Sequence, residues 1–399
     1  MKELNNILVL GDAEGFGFTA ARVLLDHGFE AITLGDSDGE RARVVAESFD
    51  RTGVQGVPID LRRLESLGIR LVDFDLVLSS LKGRPGQKVI NAALDSGTHY
   101  VDLGGALYPT RLTQTGERAQ SAGSMMVFGC GAAPGLTNVL AAQGARDLQE
   151  IWSIQIAIAS HKPIVLSKDN LQVLLDQFSP DCDRRWIHED ANLVEVPPFS
   201  RKRVVTFLPP VGAQRVCVIP HEEVISLPRS IRGVEEVVVY GSLRPSQMQF
   251  MRNLHDLGLL SKDPLEVEGA TISPLEFLKA HFEAHPPAEA PFGCHKYLWI
   301  EVQGLGEKGT VCRRFRTRHP DWGSSQSDGP ELSPVGSPGG DSTIAMNAIP
   351  AALTVCALRA KGEIDPGAYS LDEVLTLEDL LPGLTQMEIE IQETETGVP

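Results

Sequence analysis

"ILVLGDAEGFGFTAARVL", from Ile7 to Leu24, begins as an apolar strand and ends as an amphipathic helix. A strand that turns into a helix through glycines presents main-chain amides at a helix N-terminus, where they can hold an anion. Gly11, Gly15 and Gly17 follow a G-x-x-x-G-x-G spacing, whereas G-x-G-x-x-G would need glycine at Ala13 and Phe16. Asp12 and Glu14 also stand in this turn, and a carboxylate opposes a phosphate. Main-chain amides do the binding, however, and an acid near a helix N-terminus is itself stabilised by about 0.3–1 kcal/mol. The two acids therefore leave a nucleotide loop intact.

Working outward, short apolar runs alternate with amphipathic stretches as far as "GSMMVFGCG". That βαβ alternation predicts an α/β fold, a Rossmann-like doubly wound parallel sheet. The second strand, "AITLGDSD", ends at Asp36, 19 residues after Gly17, where an acid accepts hydrogen bonds from the adenosine ribose. It reads Asp36-Ser37-Asp38 with no arginine directly after, so NAD is expected over NADP. Ser80 and Lys82 follow the strand "FDLVLSS" at the carboxyl edge of the sheet, and Lys82 or Arg84 is expected to offset Asp12 and Glu14; Lys88 belongs to the same basic loop. The cofactor-binding set is thus Gly11, Ala13, Gly15, Phe16, Gly17, Asp36, Ser80 and Lys82.

After about residue 133 the character changes to longer, β-rich runs such as "EIWSIQIAIAS", "RVVTFLP", "QRVCVIP", "GVEEVVVYGSL" and "KYLWIEVQGLG". These predict an α+β substrate and dimerisation domain with a mixed sheet over 134–343. The first domain, 1–133, is completed by about 344–399. A Gly/Ser/Pro-rich stretch at 319–343 reads as a mobile loop. The 399 residues exceed one ordinary core, and 42% hydrophobic with 22% charged residues is globular composition.

A formal charge of −17 argues against nucleic acid and an anionic membrane surface as partners. The six cysteines show no CxxC pair or ligand spacing, so no metal is expected and the thiols read as reduced, in a cytoplasmic protein. No signal-type run opens the chain, and the apolar stretch "TIAMNAIPAALTVCALRAKGEI" is rich in small residues and broken by Pro350, which suits a buried helix better than a membrane span.

Several separated pieces resemble the saccharopine dehydrogenase family and its lysine 6-dehydrogenase and carboxynorspermidine dehydrogenase relatives. "GQKVINAALDSGTHYVDLGG" is similar to the family's helix and strand ending in Tyr-x-Asp, here Tyr100 and Asp102; "FGCGAAPGLTNVLAA" is similar to its Gly-x-x-Pro-Gly junction. "TFLPPVGAQRVCVIPHEEVISLPRSI" and "YSLDEVLTLEDLLPGLTQMEI" look like its second-domain sheet and its return to the nucleotide domain. The resemblance implies hydride transfer between NAD(P) and a carbon bearing an amine, on an amino acid or polyamine-like substrate, in a homodimer. Ala133 stands where saccharopine-forming members typically carry an acid, which favours a smaller amine.

Such chemistry needs an acid/base group and an anchor for the substrate. His221, between apolar runs and beside Glu222 and Glu223, is the acid/base candidate, with Tyr100 and Asp102 at a strand end as further catalytic candidates. Cys130 is expected to line the substrate cleft, Asn138 to bond nicotinamide or substrate, and Arg184 or Arg185 to hold a substrate carboxylate by fork geometry. Two other readings stay open: a family relative reducing another bond, such as an enoyl group, and a non-catalytic NAD-binding scaffold or sensor. A short-chain dehydrogenase is disfavoured because no Tyr-x-x-x-Lys follows.

Overall fold

Runs such as Ile7–Leu10 and Leu76–Leu78 bury every side chain, which requires strands covered by helices on both faces. The computed structural model describes residues 4–60, 70–104, 109–160, 168–182, 185–285, 296–320 and 342–397. Its first unit, Met1–Gln143 with Pro320–Glu390, holds a seven-stranded sheet. The strands are β1 (Asn6–Leu10), β2 (Ala31–Asp36), β3 (Val54–Pro58), β4 (Leu76–Ser79), β5 (His99–Asp102), β6 (Met125–Phe128) and β17 (Gly367–Ser370), all parallel. In space they run β17-β6-β5-β4-β1-β2-β3, so the order reverses between β1 and β4, the crevice where open α/β sheets bind ligands.

The helices of this unit are α1 (Phe18–Asp26), α2 (Gly39–Glu47), α3 (Gly83–Ser96), α4 (Pro109–Ala122), α5 (Leu136–Ala145), α10 (Ser342–Lys361), α11 (Leu371–Val374) and α12 (Leu377–Gln386). One core cluster joins Leu8, Leu10 and Val77 of the sheet to Val89 and Ile90 of α3. Within α10, Ile344–Lys361 is long and apolar enough to cross a membrane, but 67% of that window is buried inside the protein, where α10 packs on α1 and α12.

The second unit, Gly144–His319 with Ile391–Pro399, is built on a mixed sheet of nine strands. It contains β7 (Glu150–Ser160), β8 (Trp186–Glu189), β9 (Asn192–Glu195), β10 (Arg203–Thr206), β11 (Ala213–Val218), β12 (Glu236–Gly241), β15 (Lys296–Gly306), β16 (Gly309–Arg318) and β18 (Glu390–Gly397), with a separate hairpin β13 (Leu265–Val267) and β14 (Ala270–Ile272). The path is β10-β11-β12-β7-β15-β16-β18; β12 and β7 are parallel, while β15 is antiparallel to both β7 and β16. Four helices accompany it: α6 (Lys168–Phe178), α7 (Glu223–Ser230), α8 (Pro245–Asp256) and α9 (Pro274–Ala284).

Two boundaries differ from the sequence expectation. The first unit runs on to Gln143, because α5 begins in its Gly131–Leu136 turn. The chain end does not stay with the first sheet: β17 joins that sheet, but β18 continues the second one beside β16. The stretch expected as a mobile loop lies largely outside the described residues.

Candidate functional site

The glycine turn folds as a five-residue π turn, Ala13–Gly17, that runs straight into α1. From Gly11 to Gly17 it holds one residue more than a G-x-G-x-x-G turn. The i→i+5 bonding, with the Gly17 amide on the Asp12 carbonyl at 2.8 Å, absorbs the extra residue. Gly11 takes φ +149, and a Cβ there would lie 2.0 Å from Ser80 Oγ, so the ends of β1 and β4 meet without a side chain between them. The Ser80 amide bonds the Leu10 carbonyl at 2.9 Å across this reversal. A Cβ at Gly17 would press on the Asp12 carbonyl at 3.2 Å, so Gly17 does the close helix packing of the third fingerprint glycine. Phe16 is buried beneath the turn.

Asp36 ends β2 and is only 4% exposed. Its Oδ2 accepts from the Ala13 amide at 2.8 Å and its Oδ1 from the Asp38 amide at 2.9 Å; Arg41 reaches both oxygens, from Nη2 at 2.8 Å and Nε at 3.2 Å. Burial pushes this carboxyl up, but the hydrogen bonds from Arg41, Asp38 and Ala13 outweigh it and hold the group below the ordinary range. Arg41 is the residue the sequence reading missed. It stands five positions beyond Asp36, in the first turn of α2, whose N-cap Asp38 accepts from the Glu40 and Arg41 amides. Lys82 and Arg84 are the cations expected beside Asp12 and Glu14. Both are exposed at the start of α3, and among the described residues neither pairs with Asp12 or Glu14; Arg41 feels the Asp12 charge instead.

The catalytic expectation for Tyr100 and Asp102 meets a buried cluster. Tyr100 is 0% exposed and its hydroxyl donates to Asp102 Oδ2 at 3.2 Å; Asp102 Oδ1 accepts from the Gly129 amide at 3.2 Å. Burial, with the Asp102 charge added, pushes the Tyr100 phenol well up. The pair therefore ties β5 to the start of the Gly129–Gly135 turn. Cys130, expected in a cleft, is 0% exposed within the first unit, and burial pushes its thiol well up. Asn138 is buried too, and its side-chain oxygen accepts from the Gly135 amide at 3.2 Å.

In the second unit His221 is half-buried and its Nδ1 contacts the carboxylate of Glu223, which is fully buried at the start of α7. This His–carboxylate pair can hold and move a proton. Arg184 lies outside the described residues. Arg185 is not available to a carboxylate ligand: it is 1% exposed and bonds the Val196, Gln177 and Ser179 carbonyls at 3.3, 3.0 and 2.5 Å, closing the end of α6. Among the described residues no group of three His, Cys, Asp or Glu could hold a metal ion.

Residues 7–153, which carry the glycine turn, Asp36 and the Tyr100–Asp102 pair, match the family described as the saccharopine dehydrogenase NADP binding domain. That match covers somewhat more than a third of the chain. Two curated enzymes also align with this chain. Carboxyaminopropylagmatine dehydrogenase of Synechocystis sp. is 24% identical over 268 residues, 63% of this chain and 66% of that protein. Carboxynorspermidine synthase of Vibrio alginolyticus is 27% identical over 172 residues, 41% of this chain and 40% of that protein. The matched region thus spans just under two-thirds of the first enzyme and two-fifths of the second. The fold is shared with saccharopine dehydrogenase (L-Glu forming) from Saccharomyces cerevisiae, at a TM-score of 0.68 and 15% identity, over 98% of this chain and 100% of that one.

Proposed function

We propose that the protein is a nicotinamide-dinucleotide-dependent oxidoreductase acting at the C–N bond of an amino acid or polyamine-like amine. The observation that carries the reading is the Gly11–Gly17 turn set at the β1/β4 reversal with Asp36 beside it, in a domain whose family is named for NADP binding. The residues fit such a group: Gly11 and Gly17 keep side chains out of the turn, and Ser80 faces Gly11 from the next strand. Gly11 to Gly17 and Ser80 would hold the pyrophosphate, and Asp36 with Arg41 the adenosine ribose. The chemistry the dinucleotide supplies when bound is hydride exchange with the carbon bearing the amine. His221, its Nδ1 held by Glu223, is the proposed acceptor of the amine proton. The names of the two aligned enzymes support an amine substrate.

The proposed preference is for NAD, because the Arg41 guanidinium at the end of β2 is held by both Asp36 oxygens. Calorimetric titration with NAD, NADH, NADP and NADPH, followed by a screen of amines for NADH formation with lysine first, tests the whole reading. Asp36→Ala, which releases Arg41, is expected to shift the preference toward NADP. Binding by none of the four would overturn the reading, and binding without turnover on any amine would favour the scaffold or sensor. A cytoplasmic setting belongs to the same proposal, supported by unbridged Cys130, Cys182, Cys217, Cys312 and Cys356.

A homodimer through the second unit's sheet is also proposed. It is supported by β10, which ends the path of that sheet with Val204 63% exposed, an edge that a second copy could cover. Sedimentation is expected to give twice the chain mass, falling toward the monomer for Val204→Lys; a wild-type monomer overturns it.

A further inference from the structure

We infer that Asp12 gates the dinucleotide cradle from within: its carboxylate takes the Gly15 amide that a pyrophosphate would otherwise take, so binding must displace it. This rests on the nucleotide-site reading above. Asp12 stands as the N-cap of the π turn, with extended backbone, and its Oδ2 accepts from the Gly15 amide at 3.1 Å. A Cβ at Gly15 would lie 2.5 Å from that same oxygen and 2.7 Å from Ile344 Cδ1, so the carboxylate sits directly over the turn where glycine lets an anion approach the backbone. Two neighbouring amides are committed as well, that of Ala13 to Asp36 Oδ2 and that of Gly17 to the Asp12 carbonyl.

The two carboxylates differ in how readily they can leave. Asp36 is buried and gripped by Arg41, whereas Asp12 is exposed and, among the described residues, its side chain accepts from the Gly15 amide alone. Two anions cannot share one N–H, and rotation of the Asp12 side chain is enough to free the amide. The acid that looked out of place in a phosphate loop is therefore a stand-in for the phosphate. It satisfies a helix-terminal donor in the empty turn, at the expense of nucleotide affinity.

The test is calorimetric titration of NAD, NADP and inorganic pyrophosphate into the full chain and its Asp12→Ala, Asp12→Asn and Glu14→Ala variants, with melting curves recorded alongside. Asp12→Ala is expected to bind the dinucleotides about tenfold tighter, the size of one removed cap, while melting lower. Asp12→Asn, which still accepts from Gly15 but carries no charge, is expected to gain less. Glu14→Ala, which removes an exposed charge without a cap, is expected to change affinity by less than about twofold. If Asp12→Ala does not fold, the Asn variant decides, and unchanged or weaker binding by it overturns the gate. Dinucleotide binding by the wild type with no gain in either Asp12 variant overturns the gate alone. Equal tightening by Glu14→Ala would reduce the effect to general charge repulsion and overturn it too. Binding by none of the proteins overturns both the gate and the nucleotide-site reading.

Discussion

Asp36 was legible as an acid at the end of the second strand, but its partner was not. Sequence order put Ser37 and Asp38 next to it, and the first turn of α2 brought Arg41 back onto it instead. Helical periodicity places such a residue within reach, yet only the path of the chain leaving β2 decides which way it points. A pH dependence follows. The native carboxyl lies below its unfolded value of about 3.9, so its stabilisation is fully present above that value and is lost as the pH falls through the native one. Asp36→Asn is expected to be less stable at neutral pH and to lose less on acidification from about pH 4 to 2. Urea midpoints across that range check it; parallel curves for both proteins would show that the Arg41 contact contributes nothing. Asp102 is the last residue of β5, Tyr100 stands two before it and Cys130 follows β6 by two residues; exposure is not written in a strand's sequence, and all three are buried.

Among the elements, the strands of the parallel sheet were legible because each is an apolar run bounded by a turn. β16 was not. Its sequence "GTVCRRFRTR" carries four arginines, which hide the alternation of a strand. The structure explains how two of them are tolerated. Arg314 pairs with Glu301 directly across on β15, Arg203 of β10 approaches the same carboxylate at 3.6 Å, and Arg313 pairs with Glu395 of β18 at 2.8 Å. Arg203 also lies over the Trp299 ring, 4.8 Å from its centroid. Glu301 is nearly fully buried while its arginines are about one-third exposed, so breaking this cluster costs less than breaking a wholly buried pair. Glu301→Ala is expected to destabilise the second unit by about 2 kcal/mol. Hydrogen exchange should show protection lost along β15 and β16; unchanged exchange there would mean that Glu301 is not what holds the arginine-rich strand. The π turn is the other element that sequence spacing could not define: the seven residues from Gly11 to Gly17 reveal an extra position, but not whether it bulges out or winds in.

At the scale of the whole molecule, two compact units arise from a chain that crosses between them more than once, with its last strand, β18, in the second sheet. The βαβ alternation, the glycine turn and the acid at the end of β2 are legible in the residue order alone. Each of these follows from local periodicity, a residue's own φ preference or a fixed count along the strand. Packing in three dimensions is what closes Arg41 on Asp36, caps the Gly15 amide with Asp12, buries Tyr100, Asp102 and Cys130, and sets Arg185 against carbonyls. Those outcomes depend on which distant atoms share a volume and on which polar groups water can reach, and the order of residues along one strand does not specify either.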